Sequence, residues 1–135
     1  MSVSANRKLI EDHFDAKTQR NEPVLRAQLT DAVRWWTPQT TEARGVKRPF
    51  VGPDEVVALL MSLGFYKPEG RVWTMHHIIA DEDAVAAHVT LTTETVNGHP
   101  YVNNYVFIFE IRDGRIDQVW EHLDTAYTYA LLDDA

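Results

Sequence analysis

Cysteine is absent from the 135-residue chain, which excludes disulfide scaffolds, thiolate metal sites and cysteine nucleophiles. Long apolar runs are absent too. The most apolar stretch, Val56 to Met61, falls far short of the roughly 20 residues that a membrane-spanning helix requires. The opening MSVSANRKLIEDHFDAK never develops the apolar centre of a signal peptide, so a soluble cytoplasmic protein is expected. Positive charge is scarce: 13 Lys and Arg stand against 20 Asp and Glu, a net charge of −7. The cations are scattered rather than clustered, so neither nucleic acid nor a membrane is expected as a partner. Repeats, low-complexity tracts and linkers are missing as well, which leaves one domain, 1–135. A domain of this size can enclose a core and an internal pocket without covalent or metal staples.

What is present reads as helices first and strands afterwards. Ser4 and Asn6 offer N-caps to a helix over about 5–19, whose Leu9, Ile10, His13, Phe14 and Lys17 recur on one face. Glu22 and Pro23 open a second short helix that ends before Asp31. Ala32–Thr37 is rich in β-formers and stops at Pro38, and residues 39–49 have the composition and length of a flap. Gly52-Pro53-Asp54-Glu55 starts a third helix carrying Val56, Val57, Leu59, Leu60 and Leu63. From Arg71 the period changes to two. Strands are expected over 72–80, 84–96, 101–112 and 115–125, divided at Asp81–Asp83, Asn97-Gly98 and Asp113-Gly114. The expected class is α+β, with three N-terminal helices packed on one face of a mainly antiparallel sheet.

The order of these elements, the strand VRWWTP, the helix opening FVGPDEVVALL and the closing YVNNYVFIFEIRDGRIDQVWEHLDT together resemble the nuclear transport factor 2-like superfamily. Within it the chain is most similar to the branch of SnoaL-like polyketide cyclases, ketosteroid isomerase relatives and phenazine-biosynthesis A/B-like proteins. The resemblance spans nearly the whole chain and is sharpest in the last hairpin. It implies a cone-shaped roll whose curved sheet encloses one apolar pocket, commonly in a homodimer. The superfamily also hosts non-catalytic modules, so function must be argued from side chains.

Alternation places Tyr101, Asn103, Tyr105, Phe107, Phe109 and Ile111 on one strand face, the expected pocket wall. In the last strand Ile116, Val119, Glu121 and Leu123 share a face only if a one-residue bulge lies between Ile116 and Val119. Without it Trp120, His122 and Asp124 point inward. The resemblance matches Glu121 to the acid/base glutamate of phenazine-type members and Asp124 to the aspartate of cyclase-like and isomerase-like members, and it favours the bulge. A carboxylate on an apolar wall is desolvated, so its pKa rises and it can exchange protons near neutrality.

Asn103 could hold a substrate carbonyl, orient Glu121, or satisfy the backbone. His76 and His77, as strand neighbours, should point to opposite faces, one of them into the pocket. A two-residue turn at 81–83 matches His76 with Val89, and a three-residue turn matches His77 with Ala87. His76 is carried forward as the catalytic candidate. His88 falls on the outer face. No H-x-H or H-E-x-x-H spacing occurs, so neither a metal nor a cofactor is expected. His13 and Phe14 sit in the first helix's apolar stripe, within reach of a pocket. Of Trp35 and Trp36, which split across two faces, Trp35 is taken as the pocket aromatic. Epoxide hydrolysis, which in this fold needs an Asp-Arg-Asp set, finds no inward Arg in the penultimate strand. The expectation is a homodimeric, cofactor-independent enzyme that uses Glu121, Asp124 and His76, with Asn103, Tyr105, Phe107, Trp35, His13 and Phe14 around a small apolar or aromatic molecule. Isomerisation, cyclisation, dehydration or condensation would be the chemistry. A dimeric ligand-binding or assembly module is the alternative.

Overall fold

The computed structural model describes residues 2–62, 64–67 and 69–134. The elements run α1 (Val3–Gln19), α2 (Glu22–Ala27), β1 (Leu29–Trp36), α3 (Gln39–Ala43), β2 (Phe50–Val51), α4 (Gly52–Met61), β3 (Val72–Ala80), β4 (Ala84–Glu94), β5 (Pro100–Arg112), β6 (Arg115–Leu123) and α5 (Thr125–Leu132). The six strands form one sheet in the order β2-β1-β6-β5-β4-β3. Only β1 and β6 pair in parallel. This is the α+β nuclear transport factor 2-like architecture. Leu63, expected in the third helix, lies outside the described residues.

Local chemistry sets the helix ends. Ser2, not Ser4 or Asn6, caps α1: its hydroxyl accepts the Ala5 N–H at 3.0 Å. Asn6 is fully buried, and its Nδ2 donates to the carbonyls of Asp81 and Glu82 at 3.1 and 2.9 Å. The helix is thereby fastened to the β3–β4 turn. Phe14 of α1 meets Phe107 and Phe109 of β5 edge-on, with ring centroids 5.5 and 6.3 Å apart. Trp35 of β1 meets the same two rings at 6.1 and 6.3 Å. Each such ring contributes roughly 1.5–3 kcal/mol by leaving water, plus a smaller share from edge-to-face geometry.

Two bulges position the site. Across β5 and β6 the register runs Glu110↔Gln118 and then Ile111↔Ile116, so Asp117 is the extra residue. Ile116 and Val119 are consequently both buried, and Glu121 and Leu123 follow on the same face. Asp117 is held in place by the Thr30 hydroxyl, which donates to its Oδ1 at 2.6 Å. The bulged reading of the last strand is therefore the one the chain adopts.

A second bulge was not anticipated. β3 and β4 pair Met75↔Val89 and then His77↔His88, leaving His76 extra. Because a bulge turns two successive residues to one side, His76 and His77 are both exposed, while Trp73, Met75, Ile78 and Ala80 face the core. The expectation that one of the two histidines enters a pocket fails for this reason.

Three other elements lie beyond the sequence reading: α3 inside the expected flap, the two-residue β2 directly after it, and α5 after the last strand. No described helix is long and apolar enough to cross a membrane.

Candidate functional site

A cavity of about 220 Å³ lies between α1, the loop before β3, and the inward face of the sheet. Its aromatic wall comes from Trp35, Tyr66, Trp73, Tyr105 and Phe107. Three ionisable side chains of opposite sign join them: Glu121 from β6, Lys17 from α1 and Arg71 from the segment ahead of β3.

Glu121 reaches the cavity because the Asp117 bulge restores it to the apolar face of β6. Its Oε1 accepts the Trp35 indole N–H at 3.0 Å. Burial pushes its pKa above the ordinary carboxylate value, and the Lys17 charge, the Trp35 hydrogen bond and His122 partly oppose that rise. The result is a carboxyl group able to take up or release a proton nearer neutrality than a solvated one.

A hydroxyl chain forms the floor. Tyr66 and Tyr105 share a hydrogen bond at 2.8 Å, Tyr105 and Tyr101 one at 2.7 Å, and Tyr101 and Thr128 one at 2.9 Å. Burial drives the Tyr66 and Tyr105 hydroxyls well above the ordinary phenol range, so both remain protonated at any physiological pH. Asn103 Nδ2 donates to Tyr101 Oη at 3.1 Å, to the Asp124 carbonyl at 3.0 Å and to Thr128 Oγ1 at 3.1 Å. Asn103 thus stands beneath the tyrosines, behind the cavity wall, and ties α5 to the sheet.

Of the anticipated site residues, Glu121, Trp35, Tyr105 and Phe107 come together in the cavity. Asp124 does not. It is exposed and caps α5, its Oδ1 accepting the Tyr127 N–H at 3.1 Å. His76 faces away, its Nε2 2.6 Å from Thr90 Oγ1, beside His77 and His88, whose Nδ1 atoms lie 3.0 Å apart. Among the described residues no group of three or more His, Asp or Glu is arranged to hold a metal ion. His13 is fully buried one layer behind the wall, with its Nδ1 3.1 Å from Gln28 Oε1 and its ring against Phe14, Trp35 and Phe109. Phe14 packs in that same layer.

Lys17, Tyr66 and Arg71 were not assigned roles from sequence. Lys17 carried a readable signal, since it shares the helical stripe of Ile10, His13 and Phe14, where a lysine has no reason to sit unless its amine is used or shielded. Tyr66 and Arg71 lie in irregular chain with no periodicity to place them. Although Arg71 is an inward arginine, Glu121 is the only carboxylate on the cavity among the described residues, so no Asp-Arg-Asp set is assembled.

The SnoaL-like domain family matches residues 10–119, and the chain belongs to this family. No functionally curated protein matches it in sequence. Among solved structures, a nuclear transport factor 2-like protein of unknown function from Burkholderia pseudomallei K96243 is 23% identical, with a TM-score of 0.84 over 97% of this chain and 98% of that one. A candidate SnoaL-like polyketide cyclase from Jannaschia sp. CCS1 is 15% identical, with a TM-score of 0.84 over 98% and 94%. TerC, crystallised with polyporic acid, is 16% identical, with a TM-score of 0.83 over 96% and 99%. The same fold is found in a candidate ketosteroid isomerase and in an LEH-like epoxide hydrolase. At these identities the likeness establishes the fold, and chemistry has to come from the cavity.

Proposed function

We propose that this chain is a cofactor-independent enzyme that transfers a proton next to the carbonyl group of a small, planar, largely apolar molecule. The observation that carries this reading is Glu121: a carboxyl group inside an aromatic cavity, held by one indole N–H, with its pKa raised by burial. A buried carboxyl is costly unless it is fully hydrogen-bonded or used.

In this mechanism the aromatic walls hold the substrate ring and exclude water. Glu121 removes a proton from the carbon beside the carbonyl and returns it elsewhere on the molecule, which gives isomerisation, cyclisation or dehydration according to the substrate. The charge that develops on the carbonyl oxygen is met by a hydroxyl. Asn103 donates to Tyr101, which is bonded to Tyr105, as Tyr105 is to Tyr66. When Tyr101 donates to Tyr105 and Tyr105 to Tyr66, the Tyr66 proton is left for the substrate oxygen. Asn103 acts here as a positioning residue.

Deuterium uptake at the carbon beside the carbonyl of 2-tetralone or 1-indanone, followed by NMR, tests the proposal without knowledge of the natural substrate. Wild-type protein should accelerate exchange over buffer, and Glu121→Gln should abolish the acceleration. Saturable binding of these ketones with exchange no faster than in buffer would favour a ligand-binding module instead.

A further inference from the structure

Lys17 sits where the apolar stripe of α1 meets the cavity, and it is only 8% exposed. Its Nζ lies 4.3 Å from the ring centre of Trp73, 4.5 Å from Phe107, 4.9 Å from Phe14 and 5.6 Å from Trp35. The chain has three other lysines, all ion-paired near the surface. Lys8 pairs with Asp12 at 3.0 Å, Lys47 with Glu55 at 2.7 Å and Lys67 with Glu94 at 2.6 Å. Lys17 makes no ion pair or hydrogen bond among the described residues.

A lysine near a helix end ordinarily extends its amine into water. This one is turned inward among four π faces, which compensate an ammonium only in part. Burial pushes its pKa down to about 8, with the Glu121 charge opposing and the Arg71 charge adding to the effect. The Lys8 amine is instead raised by its hydrogen bond to Asp12. Near neutral pH the Lys17 amine therefore has an appreciable neutral fraction, aimed into an aromatic cavity beside a carboxyl group that can hold a proton. Desolvation of this kind makes lysine a nucleophile toward carbonyl carbon.

We propose that Lys17 forms a Schiff base with the carbonyl carbon of an aromatic aldehyde or ketone bound in the cavity. The proposal rests on reading the cavity as a reaction site, and it names the substrate class and a covalent intermediate for it. The neutral Nζ attacks the carbonyl carbon, and the carbonyl π pair becomes a hydroxyl after the nitrogen proton moves to oxygen. Protonated Glu121 then gives its proton to that hydroxyl, which departs as water while the nitrogen lone pair forms the C=N bond. The products are a protonated Schiff base on Lys17 and a Glu121 carboxylate. That carboxylate is left able to remove a proton from the adjacent carbon of a ketone, whose electrons flow into the iminium.

Reductive trapping tests this on the wild-type protein. Benzaldehyde and sodium cyanoborohydride, at limiting exposure, should leave a benzyl group on Lys17 at least about tenfold more than on Lys8, Lys47 or Lys67, as located by peptide mapping. Labelling of Lys17 should rise with pH through the region of 8, where Glu121, Arg71 and His13 are the ionisable groups that face it. Lys17→Met and Lys17→Arg, checked for folding by circular dichroism, should both lose the cavity label, because the arginine keeps the charge but not the nucleophile. Equal labelling of the four lysines, or least labelling at Lys17, overturns the proposal. Benzyl alcohol, which cannot form a Schiff base, separates the two levels of the argument. If it quenches tryptophan fluorescence saturably while Lys17 stays unlabelled, the covalent step is refuted and the cavity remains a binding or proton-transfer site. If it does not bind and no label forms, both readings fall.

Discussion

The indole N–H of Trp35 donates to Glu121 Oε1 at 3.0 Å, and it is the one hydrogen bond this carboxyl group receives among the described residues. A carboxylate has about four acceptor sites. Those that remain face a cavity lined by rings, so the protonation state of Glu121 answers to whatever enters.

Replacing Trp35 with Phe removes that donor and keeps an aromatic ring. The hydrogen bond holds the carboxylate form, so Glu121 should titrate at higher pH and the acid limb of kcat/KM should move upward. The variant should lose about 0.5–3 kcal/mol of stability from the smaller ring. An unmoved limb would separate the limb from Glu121.

Glu121→Gln should lower turnover by about a hundredfold or more. Its effect on stability follows from linkage. The folded-state pKa is raised, so the native protein binds more protons than the unfolded chain between the ordinary carboxylate value and the raised one. Stability from this group is complete at low pH and is lost as pH climbs through the folded value. Thermal melts from below the ordinary carboxylate value of 4.5 up to about pH 8 should therefore show the glutamine variant gaining stability relative to wild type as pH rises.

His13 predicts the opposite slope. Burial pushes its pKa down to about 3, with the Lys17 charge adding and the Gln28 hydrogen bond opposing. The unfolded chain takes up a proton near the ordinary value of 6.5, so stability falls as pH drops from there toward 3. The full effect is on the order of 5 kcal/mol, being the shift multiplied by 1.36 kcal/mol per unit. Urea titrations at pH 7 and pH 4.5 should show a loss that His13→Gln reduces. A pH dependence unchanged in that variant would assign the acid sensitivity elsewhere.

Asp124→Ala should cost about 0.5–2 kcal/mol through loss of the α5 cap, and Asp124→Asn should restore most of it. Neither change should alter turnover more than a few-fold. A hundredfold loss in both would return Asp124 to the chemistry.

The long strands and their turns were legible because alternation and dipeptides such as Asp113-Gly114 carry strong local signals. The Asp117 bulge was legible only in part: Ile116 and Val119, two apolar residues three apart, share a face only with it, and the family resemblance rather than the spacing chose it over the unbulged strand. The His76 bulge left no such mark, because Met75, His76, His77 and Ile78 read equally well without it. Asp124 misled because a helix N-cap and a catalytic aspartate are the same residue type, and α5, an apolar helix starting at Thr125, offered no amphipathic period. The positions of Tyr66, Arg71 and the Lys17 amine depend on how distant segments meet, which is tertiary information.

The Asp117 bulge also separates the length of β6 from what β6 presents. Loss of the codon for Asp117 would remove the Thr30 contact and flatten the strand, yet Val119, Glu121 and Leu123 would keep their facing, since the excised residue is the one outside the alternation. Loss of any one codon from 118 to 120 would present Glu121 to the other side, unless the bulge itself closed to absorb it. The last strand thus carries a spare residue, and a lineage could shorten it by one without surrendering the acid of its cavity.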